Sequence, residues 1–364
     1  MNLRFLGGAR EVGRSAVLVN DSLLLDYGMR SGTPPGFPVG SVDPEAVART
    51  LARDTLKLHG GSYRCPFTET DVKRVTEVAT THGYRKSFTA AGHEITFFDA
   101  GHIPGSAHVL VDDGETRLLY SGDFHTGSRQ RDDSNGDATD HESRDISSVG
   151  GQRLVPPTTA RPEADVVICE STYSDVEHEH RAAVEEGFVE SVRTTLWEGG
   201  TVVIPAFAIG RTQELLLVCE EYDIPCYVDG MGQRVTEMLR QYPEFVRDAD
   251  ALRRATSHAR FVTGRDGQRE RIATGYQVEG TPGRELLDTG RVEIDGRRMP
   301  VSAQVESYDF SAHADREGLF GYLDSYRDGR VLVNHGDRCQ TFAAELRDEG
   351  IDAAAPGLGD TVEV

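Results

Sequence analysis

Residues 100–124, AGHIPGSAHVLVDDGETRLLYSGDF, contain two short apolar runs on either side of an Asp-Gly turn. Runs of this kind, bounded by turn residues, predict two paired strands of a β-hairpin. His102 precedes the first run and Asp123 follows the second. Because a strand end holds a side chain rigidly while the adjoining turn leaves open space, both residues are candidates for a metal or substrate site.

The same arrangement occurs at three other strand-like runs, which end in Asp26, Glu170 and His335. Any one of them alone has an ordinary explanation, since acidic residues at strand ends commonly form turns or cap helices. The recurrence of the arrangement favours a shared site. Histidine nitrogen and aspartate oxygen suit zinc, and two metal ions can deprotonate a water and neutralise the charge that develops on a phosphodiester.

The remaining pattern predicts a mixed α/β chain in two parts. Short strands dominate up to residue 127, with helices expected over 43–58 and 68–83. After a polar segment, 128–163, that predicts a mobile surface loop, strands alternate with helices, which predicts a largely parallel and buried sheet. The elements expected in this second part are strands in 164–172, 201–210, 224–230 and 330–337, and helices over 179–200, 211–222, 233–242 and 339–350.

The composition is typical of a soluble globular protein with an acidic surface. The 364 residues are 38% apolar, and 60 acidic residues outnumber 39 basic ones to give a net charge of −21. Such a surface repels itself in dilute buffer and is screened in molar salt, which favours a halophilic host. The charge lowers the expectation of a nucleic-acid partner, except that counterion release contributes little in strong brine.

The same composition excludes several other classes. The five cysteines are scattered without a Cys-x-x-Cys pair, which disfavours a disulfide framework or a zinc knuckle. No apolar stretch approaches the roughly 18 residues of a membrane span, and the first residues lack a signal-peptide core. We therefore expect a cytoplasmic protein with no membrane partner.

Five segments stand in the order and with the spacings of one protein family. They are residues 100–124, VVICESTYSD at 166–175, VVIPAFAIGRTQELLL at 202–217, YDFSAHAD at 308–315 and VLVNHGD at 331–337. With them the chain resembles, over nearly its whole length, the beta-CASP group of metallo-beta-lactamase-fold RNA nucleases. This group includes the mRNA 3′-end cleavage endonuclease, its archaeal relatives and bacterial ribonuclease J. The resemblance implies an αββα metallo-beta-lactamase sandwich, formed by residues 1–175 and 301–364, with a beta-CASP α/β domain inserted at 176–300.

The resemblance also implies roles for individual residues. His102 is similar to a zinc ligand of the family, Asp123 to the carboxylate that bridges two metals, and His335 to a ligand of the second metal. Glu170 and His313 resemble the acid and histidine pair that would protonate the leaving oxygen.

Two further residues are assigned in the same way. Asp26 matches an acidic residue that orients a metal-binding histidine without binding the metal. Arg211, just before a predicted helix, is a candidate phosphate contact in the domain that clamps the RNA strand, with a surface salt bridge or a helix cap as the alternative. The family pattern assigns no role to the other nearby histidines, which we expect at the surface or behind the ligands: His108, His125, His178 and His180.

The chain departs from the family pattern after Asp26. A family member carries there a strand ending in a His-x-His-x-Asp-His cluster that supplies most of the metal ligands, whereas this chain has no histidine before His59. A second departure lies in 259–280, where the family usually has a Ser-Gly-Met loop. Without the cluster, the three remaining ligand candidates suffice for at most one of the family's two zinc ions.

Two hypotheses of different classes follow from this pattern. The first is a zinc-dependent ribonuclease that cuts RNA phosphodiesters, of the mRNA 3′-end processing or exonuclease class, and is impaired by the missing ligands. The second is a catalytically inactive relative that binds single-stranded RNA or acts as a scaffold, as a homodimer or paired with a related nuclease. A small-molecule hydrolase is disfavoured because 202–217 and 308–315 resemble the nucleic-acid branch of the fold.

Overall fold

The computed structural model describes residues 1–28, 30, 36–39, 68–127, 151–156, 159–262, 282–294, 297–300 and 305–364. The strands are β1 (Asn2–Gly7), β2 (Ala16–Val19), β3 (Leu23–Leu25), β4 (Phe88–Ala90), β5 (His93–Asp99), β6 (Ala107–Asp112), β7 (Arg117–Tyr120), β8 (Val166–Glu170), β9 (Tyr227–Val228), β10 (Arg260–Phe261), β11 (Arg291–Ile294), β12 (Arg297–Pro300), β13 (Arg330–Asn334), β14 (Asp352–Ala354) and β15 (Thr361–Glu363). The helices are α1 (Glu69–Val78), α2 (Arg181–Trp197), α3 (Arg211–Glu221), α4 (Met231–Gln241), α5 (Ala249–His258), α6 (Pro282–Thr289), α7 (Arg316–Leu323) and α8 (Cys339–Asp348).

Two sheets dominate these ranges. The smaller has four antiparallel strands in the order β15-β1-β2-β3, and the larger has seven in the order β14-β13-β8-β7-β6-β5-β4. In the larger sheet β7, β8, β13 and β14 are parallel neighbours, while β4 to β7 pair antiparallel. The parallel part carries a continuous apolar sequence because it is buried on both faces.

The side chains of β8 point alternately to the two faces of the larger sheet, and this alternation determines how the layers pack. Ile168 joins a core cluster with Phe5 of the smaller sheet, whereas Val167 joins a cluster formed with α7 and α8 that includes Phe342. Successive strand residues point to opposite faces, so β8 has the smaller sheet on one side and helices on the other. The result is a sandwich of two sheets with a helical layer over the larger one. The helix predicted over 43–58 lies outside the described residues.

The hairpin predicted from residues 100–124 is confirmed. β6 and β7 pair antiparallel, with Asp112 opposite Arg117. The turn between them contains Gly114 at a φ of 90°, and the Asp113 carboxylate accepts a hydrogen bond from the Thr116 N–H at 2.9 Å. Because β7 also pairs in parallel with β8, the carboxyl ends of β7 and β8 lie side by side.

β8 and β13 come from distant parts of the sequence and pair in parallel, with Asn334 opposite Glu170. Just after these two strands, the segments that follow them approach so closely that a Cβ on Gly336 would lie 2.3 Å from the Ser171 hydroxyl oxygen. Only glycine fits there without a shift of its neighbours. This close approach brings Glu170 and His335 to the same edge of the sheet.

About half of the described chain between β8 and α7 is helical. The strand predicted over 201–210 is wrong: its apolar side chains pack against α2 and α3, but the described residues give it no backbone ladder. Pro205, which has no N–H to donate, lies in the middle of this stretch and disfavours a ladder. In the described part of the chain between β8 and α7, β9 and β10 pair in parallel over two residues each, and Tyr173 and Asp315 form an isolated parallel bridge. The domain boundaries at 176 and 300 stay predictions.

The expected surface loop over 128–163 is also wrong in part. Leu154 is buried in the cluster that α3, α4 and α5 form. The backbone N–H groups of Arg153 and Leu154 each donate to the Glu214 carboxylate at 2.8 Å. This piece of chain is therefore packed, and most of the rest of the expected loop lies outside the described residues.

Two exclusions made from the sequence concern cysteines and membranes. The cysteines in the described ranges are free thiols: Cys169, Cys219, Cys226 and Cys339. No helix in those ranges combines the length and the apolar character that a membrane crossing needs.

Candidate metal and catalytic site

The predicted site residues come together where strands end. β7, β8 and β13 are parallel neighbours, so their carboxyl ends meet at one edge of the larger sheet. Asp123, Glu170 and His335 lie at or just after these ends. His102 follows β5 and Asp26 follows β3. The shared edge is where ligands commonly bind in open α/β sheets.

Two of these residues leave their strands in a strained backbone conformation. Asp26 has a φ of 64° and His335 a φ of 49°, in the left-handed region that non-glycine residues rarely adopt. The His335 backbone is fixed on both sides, because its N–H donates to the Gly8 carbonyl at 2.8 Å and its carbonyl accepts from the Ser171 N–H at 3.1 Å. Strain of this kind, about 1–3 kcal/mol per residue, persists where surrounding bonds over-determine it, and it concentrates at functional sites.

Two overlapping groups of side chains have their potential ligand atoms within 4.8 Å of one another. One consists of His102, Asp123 and His313, and the other of Asp123, Glu170 and His335. Asp123 belongs to both. The predicted ligands His102 and His335 thus approach the same carboxylate, one in each group.

Asp123 and His335 form an ion pair, with the His335 Nδ1 3.0 Å from the Asp123 Oδ1. Burial by itself would lower the pKa of His335, but the charge of Asp123 and the hydrogen bond to it raise that pKa to about 9. Burial likewise opposes ionisation of Asp123, yet His335 holds the pKa of this carboxyl well below its usual range. If a metal ion replaced the proton that Asp123 and His335 share, the ionised carboxylate and the imidazole would already be in contact with each other.

His102 is held as a neutral imidazole. Its Nδ1 donates to the Ala312 carbonyl at 2.9 Å, which leaves Nε2 as the atom with a free lone pair. Burial, followed by the positive charge of His313, lowers the pKa of His102 to about 4. A neutral histidine oriented by a hydrogen bond from its other nitrogen is the usual form of a metal ligand.

Glu170 and His313 form a second pair in the same cleft. The His313 Nδ1 lies 2.8 and 3.0 Å from the two Glu170 oxygens, and the Glu170 side chain is almost fully buried. Burial opposes the charge on both, but each partner's charge outweighs it, so the pKa of His313 is raised and that of Glu170 is lowered. The Phe124 N–H also donates to Glu170 at 2.9 Å. The pair with Glu170 therefore favours the protonated form of His313, which can donate a proton.

Thr172 is a site residue that the sequence analysis missed. Its hydroxyl donates to Glu170 at 2.6 Å and lies 3.3 Å from the His335 Nδ1, so it touches both histidine–carboxylate pairs. The available signal was its position two residues after the strand-end Glu170, on the same turn.

Asp26 lies beside Asp123, and no imidazole of the described residues is hydrogen-bonded to it. Its carboxylate accepts from the Tyr27 N–H at 2.7 Å and from the Tyr120 hydroxyl at 3.3 Å. Although part of its surface is open to solvent, desolvation by the surrounding protein, together with the charge of Asp123, raises the pKa of Asp26. Its predicted role in orienting a histidine stays a prediction, since neither of these bonds is to a histidine.

The structure does not place Arg211 as a phosphate contact. Arg211 is buried, and its guanidinium donates to the Phe310 carbonyl and to the Gln152 side chain, the latter at 2.6 Å. Burial lowers its pKa to about 10, which still leaves it charged at neutral pH. Its side chain connects α3 to the chain before His313, and a phosphate would have to displace these partners.

The other histidines divide between the core and a cavity. His108 is fully buried, so of the two expected positions, at the surface or behind the ligands, the surface one is wrong; its Nδ1 donates to the Ser121 carbonyl at 2.6 Å. His125, His178 and His180 line a cavity of about 230 Å³ beside His313.

One family model matches the chain. Residues 298–356 match the model described as "Zn-dependent metallo-hydrolase RNA specificity domain". This range contains both cleft histidines His313 and His335 and the layer formed by α7 and α8.

The chain is similar to several archaeal proteins. It is 26% identical to RNase aCSPSF2 of Saccharolobus solfataricus, covering 100% of this chain and 85% of that protein. It is 25% identical to Probable RNase MJ4 of Methanocaldococcus jannaschii, covering 100% of both. With Transcription termination factor FttA of Pyrococcus horikoshii it shares 25% identity over 86% of this chain and 55% of that protein. The first alignment spans 443 positions against 364 residues here, so that relative carries residues that this chain lacks.

A solved structure confirms the architecture. The crystal structure of a protein of unknown function from Enterococcus faecalis V583 matches with a TM-score of 0.55 at 11% identity, covering 100% of this chain and 99% of that chain. The fold and the family match together define the metallo-beta-lactamase class of zinc-dependent hydrolases. Within that class, the chain is similar to RNA nucleases of the beta-CASP group, and zinc is the metal that the matched domain implies.

Proposed function

We propose that this chain binds single-stranded RNA and hydrolyses its phosphodiester bonds with one zinc ion, much more slowly than relatives that carry the histidine cluster. The observation that carries the proposal is the contact of His313 with buried Glu170, directly beside the Asp123 carboxylate that both ligand groups share. A proton donor next to a metal-binding carboxylate is the arrangement that phosphodiester hydrolysis requires.

The chemistry of the predicted ligands suits a single zinc ion, with Asp123 as the residue that each of the two histidines approaches. His102, Asp123 and His335 would hold it, because two imidazoles and a carboxylate are typical zinc ligands and three protein ligands leave a position open for water or substrate. Glu170 and the Nδ1 of His313 are occupied with each other, so they are better suited to proton transfer than to metal binding. Bound zinc supplies a Lewis acid and lowers the pKa of a bound water to about 7.

The remaining chemistry belongs to the chain's own residues. Because the Nδ1 of His313 faces Glu170, its Nε2 is the end that can deliver a proton to the leaving oxygen of the cut bond. Glu170 raises the pKa of His313, which favours its protonated form, and Glu170 is itself held by the Thr172 hydroxyl and the Phe124 N–H. This network fixes the donor before substrate arrives.

A second candidate function is a non-catalytic RNA-binding or scaffold subunit, working as a homodimer or paired with a related nuclease. It is favoured by the sequence after Asp26, which contains no histidine before His59 and so lacks most of the family's metal ligands. A cytoplasmic location and a high-salt environment remain predictions under either function.

The test combines metal content, binding and cleavage on the purified chain in high salt. We expect about one zinc per chain, measurable affinity for single-stranded RNA, and zinc-dependent cleavage roughly 10²–10³-fold slower than in a relative with the cluster, abolished by Asp123→Ala. Binding without zinc and without cleavage would favour the scaffold. Two zinc ions with rapid cleavage would contradict the impairment, and absence of RNA binding would contradict both functions.

A further inference from the structure

Phe207 is a large, exposed apolar side chain in a segment whose next residues contact the chain beside the candidate site. It is 59% exposed, whereas its neighbours from Val202 to Gly210 are all half-buried or buried. Single exposed apolar residues are common on protein surfaces, so exposure alone means little. Position and rigidity are what distinguish this one.

The segment that carries Phe207 borders the cleft. Gly210, three residues further on, packs against the residue after His102: a Cβ on Gly210 would lie 2.7 Å from the Ile103 Cγ2. The next residue, Arg211, extends to the Phe310 carbonyl near His313. The segment that carries the exposed ring is therefore anchored next to His102, through Gly210, and near His313, through Arg211.

The backbone around Phe207 is firmly held. The Phe207 carbonyl accepts from the Thr212 N–H at 3.1 Å and from the Thr212 hydroxyl at 2.8 Å. The Gln213 side chain binds both the Ala208 carbonyl, at 3.0 Å, and the Gly210 N–H, at 2.9 Å. A ring on a fixed support loses little freedom when a flat ligand binds to it.

We propose that Phe207 is a stacking platform for one nucleobase of single-stranded RNA at the edge of the cleft. The inference rests on the proposed RNA-binding function and adds a base-binding subsite to it. Stacking on an aromatic face tolerates any base and does not depend on charge. This matters here because a net charge of −21 and a buried Arg211 leave less phosphate attraction than RNA-binding proteins usually have.

The experiment measures binding of a fluorescein-labelled adenosine dodecamer by anisotropy, with EDTA present so that no cleavage occurs. Phe207→Ala and Phe207→Leu are expected to weaken binding between about fivefold and 150-fold, the range for loss of one base–aromatic stack. Phe207→Tyr keeps the ring face and should stay within about twofold of the unaltered chain. The leucine variant separates stacking from apolar contact, and duplex RNA, whose bases are already stacked, should show no loss.

Trp197→Ala is the matched control. Trp197 is 87% exposed and ends the 17-residue helix α2. That helix begins at Arg181, whose guanidinium lies over the Phe310 ring, so Trp197 is about 25 Å from the cleft. Its removal should leave RNA affinity unchanged.

The outcomes separate the subsite from the function it rests on. If the unaltered chain binds no RNA, the proposed function and the subsite are both wrong. If it binds RNA and Phe207→Leu binds equally well, only the subsite is wrong. Loss of affinity in Trp197→Ala as large as in Phe207→Ala would also overturn it, because the effect would not be specific to the cleft.

Discussion

The two sides of the candidate cleft are built from the same kind of strand ends but differ in charge balance. On the side of β8 and β13, Glu170 is paired with His313 at 2.8 Å and Asp123 with His335 at 3.0 Å. On the side of β3, the hydrogen bonds that the described residues give Asp26 come from a tyrosine hydroxyl and a backbone N–H, with the Asp123 carboxylate nearby.

This difference coincides with the departure of the sequence from its family. The missing His-x-His-x-Asp-His cluster would follow Asp26, so the absent imidazoles belong on the side where carboxylates are in excess. The pKa of Asp26 is raised, by desolvation and by Asp123, while the pKa values of Asp123 and Glu170 are lowered by their histidines. We infer that the paired side can still bind a metal ion and protonate a leaving oxygen. The Asp26 side, in contrast, lacks the histidines that would hold a second metal ion.

The largest effect is expected from Asp123→Ala. Asp123 is the residue that both potential ligand groups share, so its removal leaves neither group intact. Loss of a ligand should exceed the 10- to 100-fold loss typical of residues that merely support ligands, and we expect zinc affinity to fall by more than about 100-fold. Isothermal titration with zinc checks this.

Asp175→Ala is the control for Asp123→Ala, because Asp175 is an exposed aspartate paired with Arg338 at 2.8 Å outside the ligand groups. It should bind zinc as the unaltered chain does. Equal zinc affinity of both variants would mean that the metal binds elsewhere.

Glu170→Gln is expected to have the next largest effect. Glutamine keeps the shape and the acceptor for Phe124 but removes the charge that holds His313 protonated. Loss of a hydrogen bond to a charged group typically costs about 1.5–3 kcal/mol of unfolding free energy. Urea unfolding of the metal-free protein measures that cost, and an NMR titration should find the pKa of His313 lowered. An unchanged His313 pKa would show that the pair does not control the proton donor.

Much of the fold was predictable because it depends on local patterns. The hairpin around Gly114 and the parallel strands β8 and β13 carry clear apolar runs with turn residues at their ends. The strand predicted over 201–210 failed because an apolar run with helical neighbours cannot show whether a backbone partner exists. Residues 152–155 were mistaken for loop because their burial depends on Glu214, a contact far away in sequence.

The site was predictable only in outline. Strand ends and family resemblance identified Glu170 and His335, but not that Thr172 would touch both. Arg211 had the residue type and helix position of a phosphate contact, yet tertiary packing buries it against Gln152. The excess of negative charge around Asp26 likewise arises because folding brings the Asp123 carboxylate, from another strand end, next to it. The spacing of residues in the sequence could not reveal this.

Asp26→Asn tests the unpaired side and should have a modest effect. Because the pKa of Asp26 is raised on folding, its ionisation costs stability once the pH exceeds the usual value of 3.8, and below 3.8 it costs nothing. The substitution should raise the unfolding free energy at pH 7 by at most about 1 kcal/mol, since the carboxylate is partly open to solvent, and should change nothing near pH 3. Zinc affinity should change by less than about tenfold. A 10- to 100-fold loss would instead support the predicted role of Asp26 in orienting a ligand.

The smallest effect is expected at a histidine–carboxylate pair outside both ligand groups. The His178 Nδ1 donates to the Asp309 Oδ2 at 2.6 Å, in the cavity beside His313. Burial alone would lower the pKa of His178 and raise that of Asp309, but the pair reverses both shifts, and Asp315 adds to the effect on His178.

The stability that this pair contributes has a defined pH window. A raised histidine pKa gives stability that is complete below 6.5 and is lost as the pH rises through the folded value; a lowered aspartate pKa gives stability that is complete above 3.8 and is lost as the pH falls. Asp309→Asn should therefore cost most near pH 5.5, about 1 kcal/mol, and least near pH 9, because the pair is partly exposed. Urea unfolding at the two pH values measures the difference. An equal cost at both would mean that Asp309 acts through its hydrogen bond to the Ser311 N–H, at 2.9 Å, and not through the charge of His178.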